Sequence, residues 1–173
     1  MKTRRFFSLF FLLVLMASLV LTPASAADEE SGVTPPELHC EAMLLVDANT
    51  GRMVYGKNEH EQMSPASLTK IMTALLVLEA EDSGQLSLDQ QITATESAME
   101  GLAADGSTAG IQAGEILTVE NLLTCMLVVS ANEACNVMAE AVSGDIDTFV
   151  ALMNQRAAEL GMSYGRYKAG GVI

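Results

Sequence analysis

Residues 65–75 of this chain read PASLTKIMTAL, and they carry both a structural and a chemical signal. Apolar side chains recur there and just beyond at the spacing of one helix face: Leu68, Ile71, Met72, Leu75 and Leu76. This spacing predicts a helix that begins near Ala66 or Ser67, ends before Ser83 and turns that stripe toward a core.

Ser67 and Lys70 are three residues apart, so on a helix they share one face. A serine hydroxyl is a weak nucleophile until a neighbouring group accepts its proton, and an adjacent neutral amine can do so. The first turn of a helix also offers free backbone N–H groups that favour developing negative charge. The pair therefore indicates acyl transfer through a serine ester. In the structural alternative Ser67 is a helix cap and Lys70 an exposed cation, because Ser-x-x-Lys alone readily occurs by chance.

A second polar element, Ser130-Ala131-Asn132, lies between two helical segments in an otherwise apolar stretch. A hydroxyl and an amide at such a position suit proton relay and hydrogen bonding to a substrate. The triplet alone is weak evidence, because a turn between helices favours serine and asparagine for local reasons.

The remaining pattern predicts a hairpin followed by at least three helices. Two short apolar segments within residues 41–56 flank a connection that contains asparagine and glycine, which is typical of a β-hairpin. Residues 85–116 are rich in glycine and predict loops with short helical pieces. Thr118 can cap a helix that runs through Leu127, a further helix covers residues 133–142, and a last one ends at Gly161.

The N-terminus has the three regions of a secretory signal peptide in order. Lys2, Arg4 and Arg5 precede an uncharged run over residues 6–21, and Ala24-Ser25-Ala26 has the small-x-small form of a cleavage site. We therefore expect cleavage after Ala26 and export to the extracytoplasmic face of the envelope or beyond. Retention as a membrane anchor is the alternative, although the uncharged run is shorter than the roughly 20 residues that span a bilayer. A polar, proline-containing lead-in follows over residues 27–40.

The charge balance excludes some classes of partner. The chain has 173 residues, 22 acidic against 9 basic, and a net charge of −13. Removing residues 1–26 leaves 6 basic residues against the same 22 acidic ones, a net charge of −16. Nucleic acid and anionic lipid are therefore disfavoured as partners.

The cysteines predict neither a disulfide framework nor a metal site. Their number is odd, and Cys125 and Cys135 lie in apolar helical stretches where they are expected as small buried side chains. Cys40 lies well beyond the expected cleavage point. With only His39 and His60 and no paired cysteine spacing, the sequence does not favour a structural zinc site.

Taken together, these motifs resemble the serine D-alanyl-D-alanine carboxypeptidases, the low-molecular-weight penicillin-binding proteins of the peptidase S11 type. The PASLTKIMTAL segment is similar to their active-site segment, and LVDANTG over 45–51, SANEA over 130–134 and the Met153–Met162 segment also fit. The resemblance covers residues 41–162 in the family's order. It implies an α+β fold, the N-terminal part of the β-lactamase and penicillin-binding-protein transpeptidase-like fold, with an antiparallel sheet and a helical subdomain.

The resemblance also implies a role for each motif residue. Ser67 is the nucleophile, Lys70 the general base and Ser130 the proton relay, while Asn132 binds the substrate and helps to position Lys70. The implied substrate is a peptidoglycan stem peptide that ends in D-Ala-D-Ala, and β-lactam antibiotics would acylate the same serine. No metal or organic cofactor is implied.

The resemblance is incomplete, and this leaves alternatives open. The family's Lys-Thr/Ser-Gly strand motif is absent from the 173 residues, and residues 163–173 form a divergent tail. We therefore expect a partial catalytic domain over 41–162, an incomplete sheet, exposed apolar surface and marginal stability. A serine β-lactamase is one alternative, and a non-catalytic cell-wall-binding or penicillin-binding fragment is the other.

Overall fold

The computed structural model describes residues 38–162 and Tyr167. They fall into two compact units, which divide after Glu59. The predicted signal peptide over 1–26, most of the lead-in and the tail apart from Tyr167 lie outside the described residues. Among the residues described, none of the helices is long and apolar enough to cross a membrane.

The first unit contains the predicted β-hairpin. Strands β1 (Met43–Val46) and β2 (Met53–Lys57) pair antiparallel, with Leu45 opposite Tyr55. The Asp47 carboxylate closes the turn by accepting hydrogen bonds from the Thr50 hydroxyl and backbone N–H, both at 2.8 Å. These bonds lower the pKa of Asp47. The hairpin prediction is confirmed.

The second unit is helical, with one small sheet. Its elements in chain order are a 3₁₀ turn (Ala66–Thr69), α1 (Lys70–Asp82), β3 (Gln91–Thr93), a second 3₁₀ turn (Ser97–Met99), β4 (Ile116–Thr118), α2 (Val119–Val128), α3 (Asn132–Ser143) and α4 (Ile146–Glu159). Helix α3 packs against the other three helices. The core is therefore built around α3, whose residues 133–139 are all buried.

The helix boundaries follow from their capping residues. The Thr118 side chain accepts a hydrogen bond from the Asn121 N–H at 3.2 Å, which confirms the predicted cap of α2. Asp145 caps α4 in the same way through the Thr148 N–H at 2.7 Å. Gly144 and Gly161 follow α3 and α4 with φ of +88° and +74°, in the left-handed conformation that ends a helix.

The predicted apolar stripe of α1 is wrong in part. Leu68 and Ile71 are 67% and 66% exposed, whereas Lys70 and Thr73 are 4% and 0% exposed. Met72 is buried as expected. The helix is apolar around most of its circumference, so apolar spacing alone does not select the face that packs. Contact with α3 selects it instead.

Sequence reasoning also missed the sheet of the second unit. Residues 85–116 were expected to hold only loops and short helical pieces, but β3 and β4 pair antiparallel, with Ile92 opposite Leu117. Each of these strands has only three residues, which are too few to show an alternating apolar and polar pattern in the sequence.

The cysteines are all reduced, and each has a different environment. Cys40 is exposed, Cys125 half-buried and Cys135 buried. Burial raises the pKa of the Cys135 thiol to about 12, which keeps it protonated and inert. The expected burial is therefore complete for Cys135 and partial for Cys125.

Candidate active site

Ser67 lies on the 3₁₀ turn that leads into α1, not within the α-helix as the sequence suggested. In a 3₁₀ turn the side chains at i and i+3 eclipse, so Ser67 and Lys70 still lie on one line. Ala66, just before Ser67, has φ +46°, a left-handed conformation that is uncommon for residues other than glycine. Ser67 itself is exposed and therefore accessible to a ligand.

Lys70 is buried, which is rare for lysine unless its amine has partners. Its Nζ donates to Asn132 Oδ1 at 2.9 Å and to Ser67 Oγ at 3.4 Å. The structural alternative for the motif fails on both residues: Lys70 is not an exposed cation, and no side chain caps the 3₁₀ turn or α1.

Ser130 lies in the turn between α2 and α3 and completes the contact with Ser67. Its hydroxyl donates to Ser67 Oγ at 3.0 Å. The Ser130 backbone has φ +61°, and it is held there by its neighbour, since Ala131 is fully buried and its N–H donates to Cys125 O at 3.1 Å. Such conformations persist where the surrounding structure fixes them, often at functional sites.

Asn132 begins α3 and points its amide oxygen at Lys70. Its backbone N–H donates to Ser107 O at 2.9 Å. All four predicted site residues therefore meet, although Ser67 and Ser130 are 63 residues apart in the chain.

This arrangement provides the parts of an acyl-transfer site. The Ser67 oxygen accepts hydrogen bonds from a buried amine on one side and from a second hydroxyl on the other. An amine at this distance can, when neutral, take up the Ser67 proton. An accessible hydroxyl within reach of a buried amine is an arrangement that can support general-base catalysis.

Two features near the site escaped the sequence analysis. Glu133 is 2% exposed and binds the turn over residues 108–111. Gly106 lies close to the Asn132 amide. A carboxylate inside the apolar segment that forms α3 was the available signal for Glu133. No sequence pattern marked Gly106 among the four glycines of residues 85–116.

Comparison with solved structures identifies the class of fold. Penicillin-binding protein 6B from Escherichia coli superposes with a TM-score of 0.75 and 30% sequence identity over 82% of this chain and 46% of its own. Penicillin-binding protein 5 from Haemophilus influenzae gives a TM-score of 0.74 at 30% identity, over 82% of this chain and 41% of its own. The fold is thus that of the penicillin-binding proteins, which confirms the predicted α+β class.

Sequence comparison identifies the family. The family model for the peptidase S11 D-alanyl-D-alanine carboxypeptidases matches residues 29–170, and the chain belongs to this family. The D-alanyl-D-alanine carboxypeptidase DacF of Bacillus subtilis is 34% identical over 158 residues, which are 91% of this chain and 40% of that protein. DacD of Salmonella typhimurium is 33% identical over 88% of this chain and 40% of its own length. The chain thus spans about two fifths of the length of these relatives.

Proposed function

We propose that this chain carries the nucleophile and base of a serine D,D-carboxypeptidase that removes the terminal D-alanine from peptidoglycan stem peptides. One observation carries the proposal: Ser67 Oγ lies 3.4 Å from the buried Lys70 amine and 3.0 Å from the Ser130 hydroxyl. Membership of the S11 family supports the substrate class.

Acylation begins when Ser67 Oγ attacks the carbonyl carbon of the penultimate D-alanine. Lys70 Nζ accepts the Ser67 proton as the new C–O bond forms, and the Ser67 backbone N–H stabilises the oxyanion. As the peptide bond breaks, Ser130 delivers its proton to the departing amine of the terminal D-alanine and regains one from the protonated Lys70 amine, which is thereby neutral again for the second half-reaction. The products of this half-reaction are free D-alanine and an ester on Ser67.

Deacylation returns the enzyme to its starting state. A water molecule attacks the ester carbonyl, loses its proton to the Lys70 amine and releases the shortened peptide, while Ser67 regains its hydroxyl proton. Asn132 holds Lys70 through its Oδ1 and has a second role in binding the substrate backbone.

The same serine is the proposed site of acylation by β-lactams. Penicillin-binding protein D2 of Listeria monocytogenes, at 29% identity and a TM-score of 0.64 over 79% of this chain and 54% of its own, was solved in an ampicillin-bound form. In our proposal residues 41–162 form the catalytic portion. The signal peptide over 1–26 exports it to the extracytoplasmic face, where peptidoglycan lies.

Intact-mass spectrometry after incubation with benzylpenicillin tests the nucleophile. We expect the mass of one penicilloyl group on the wild-type chain and none on Ser67→Ala, which differs by a single oxygen atom. A folded wild-type sample that gains no mass would contradict the proposal.

A second assay separates the carboxypeptidase from its alternatives. We expect release of D-alanine from a synthetic peptide ending in D-Ala-D-Ala, together with a long-lived penicilloyl adduct. Rapid penicillin hydrolysis without an adduct would identify a β-lactamase. An adduct without any D-alanine release would identify a penicillin-binding protein that lacks peptidase activity.

A further inference from the structure

Glu133 is the second residue of α3 and, with Lys70, one of two buried charged side chains among the residues that the structure describes. Its Oε1 accepts hydrogen bonds from the Thr108 hydroxyl and the Ala109 N–H, both at 2.7 Å, and from the Gly110 and Ile111 N–H groups at 3.1 and 3.3 Å. A buried carboxylate without such donors would be strongly destabilising. This one side chain therefore holds the whole turn over residues 108–111.

The charge state of Glu133 agrees with this arrangement. Burial alone would raise the pKa of the carboxyl, but hydrogen bonds from Thr108 and the loop amides outweigh it and lower the pKa. Glu133 is therefore ionised at neutral pH, and its bonds to the loop are charge-assisted.

The same loop also contacts Asn132 directly. Ser107 O accepts a hydrogen bond from the Asn132 backbone N–H at 2.9 Å. The loop therefore accepts one hydrogen bond from the first turn of α3 and donates others to Glu133 in the same turn. Gly106 lies against the Asn132 side chain: a Cβ at Gly106 would be only 2.6 Å from Asn132 Nδ2. The loop thus borders the amide on its nitrogen side, while the amide oxygen accepts from Lys70.

We propose that Glu133 is a positioning residue for the general base: it clamps the loop over 107–111 against α3, and the loop fixes the Asn132 amide that orients Lys70. The inference rests on the proposed function of Ser67 and Lys70 and extends it to a residue that contacts neither of the reacting atoms. The chain of contacts runs from Glu133 through the loop to Asn132, then to Lys70 Nζ and Ser67 Oγ.

Acylation kinetics with benzylpenicillin test the proposal. We expect Glu133→Ala to lower the first-order acylation rate constant by about 10–100-fold, the cost of a small misplacement of a catalytic group, with little change in the apparent dissociation constant. Glu133→Gln keeps an acceptor oxygen at the same place and is expected to recover most of the rate.

Glu140 provides the matched control. It lies on the same helix and also binds loop hydroxyls, those of Thr95 and Ser97 at 2.5 and 2.8 Å, but it contacts a different loop. Glu140→Ala is expected to acylate at the wild-type rate. If Glu133→Ala only reduces the fraction of folded protein, and the folded molecules react at the wild-type rate, the positioning role is overturned.

A second variant reaches Asn132 without altering the carboxylate. Gly106→Ala brings a methyl group within 2.6 Å of Asn132 Nδ2 and 3.0 Å of the Ala103 carbonyl oxygen, so the amide side chain, which can move more easily than the backbone, must shift. We expect a fall in the acylation rate constant similar to that of Glu133→Ala, in a protein with wild-type circular dichroism. A wild-type rate in this variant would show that the loop does not set the amide.

Hydrogen exchange gives a readout that does not depend on activity. In Glu133→Ala we expect faster exchange in peptides that cover residues 107–111 and 131–134, and no such change in Glu140→Ala. Unchanged exchange at Asn132 would overturn the proposal. If wild-type Ser67 is not acylated, the proposed function fails, and the exchange result alone still decides whether Glu133 holds this loop.

Discussion

The first turn of α1 differs from an ordinary surface helix in what it buries. It buries Lys70 and Thr73 beside Met72 while Ile71 is exposed, whereas further along the helix the buried residues are the apolar Val77 and Ala80. In a surface helix the apolar residues face the core and the charged ones face water. The reversal places an amine where water does not compete for it, beside a serine that water and ligands reach. Hydropathy accounts for the burial of Val77 and Ala80, whereas we attribute the burial of Lys70 to the proposed chemistry.

Lys70→Met tests whether Lys70 is buried for chemistry or for stability, and it has the largest expected effect. Methionine fills a similar volume without the amine, so acylation by benzylpenicillin is expected to fall by about 10²–10⁴-fold through loss of the proposed general base. Thermal stability is expected to equal or exceed the wild-type value, because the desolvation cost of a buried amine disappears and the half-buried Asn132 can bond to water. Mass spectrometry and thermal melts measure the two effects. A variant that melts well below wild type would mean that Lys70 is retained for stability.

Met72→Ala tests how much the buried apolar side chain next to Lys70 contributes to stability. Met72 is 5% exposed, and truncating a buried methionine is expected to cost about 2–5 kcal/mol of unfolding free energy. Urea unfolding followed by circular dichroism measures this loss. A cost below about 1 kcal/mol would show that this face is loosely packed.

Acid is expected to reduce the contribution of Glu133 to the free energy of unfolding, and this effect is smaller than the previous two. Because the folded-state pKa of Glu133 is lowered, its contribution is present above the ordinary glutamate pKa and is lost as pH falls through the folded value. The stability difference between wild type and Glu133→Gln should therefore shrink between about pH 6 and pH 3. Urea midpoints over this range measure it, and the comparison cancels the titration of all other groups. A difference that stays constant or grows on acidification would contradict the clamp.

Ile71→Gln is expected to have the smallest effect. Ile71 is 66% exposed, so the substitution should change the unfolding free energy by less than about 0.5 kcal/mol and leave acylation unchanged. Urea unfolding under the conditions used for Met72→Ala gives the direct comparison. A loss as large as that of Met72→Ala would mean that the solvent face of α1 is covered in solution.

The sequence predicted the elements of the fold better than their orientation. The hairpin, the cap at Thr118 and the stop at Gly161 depend on local turn and cap chemistry, which a sequence displays directly. The packed face of α1 depends on α3, more than 60 residues away in the chain, so local periodicity could not select it.

The site shows the same division between local and distant information. The Ser67–Lys70 pair could be predicted because both residues belong to one helical turn, and Ser130 and Asn132 because they form a recognisable motif. Glu133 was missed despite its place in an apolar segment, because an ionised side chain in a helix normally faces solvent. Its burial is possible only because four donors of a distant loop converge on one oxygen.

The backbone of Ser130 restricts how this site can change by mutation. At φ +61° glycine, asparagine and aspartate are the easiest replacements, yet none of them carries a hydroxyl. Threonine keeps the hydroxyl, but its branched Cβ is poorly tolerated in the left-handed region. Each single substitution at position 130 therefore sacrifices either the hydroxyl or the turn. Position 130 therefore has few evolutionary alternatives that keep both the hydroxyl and the turn.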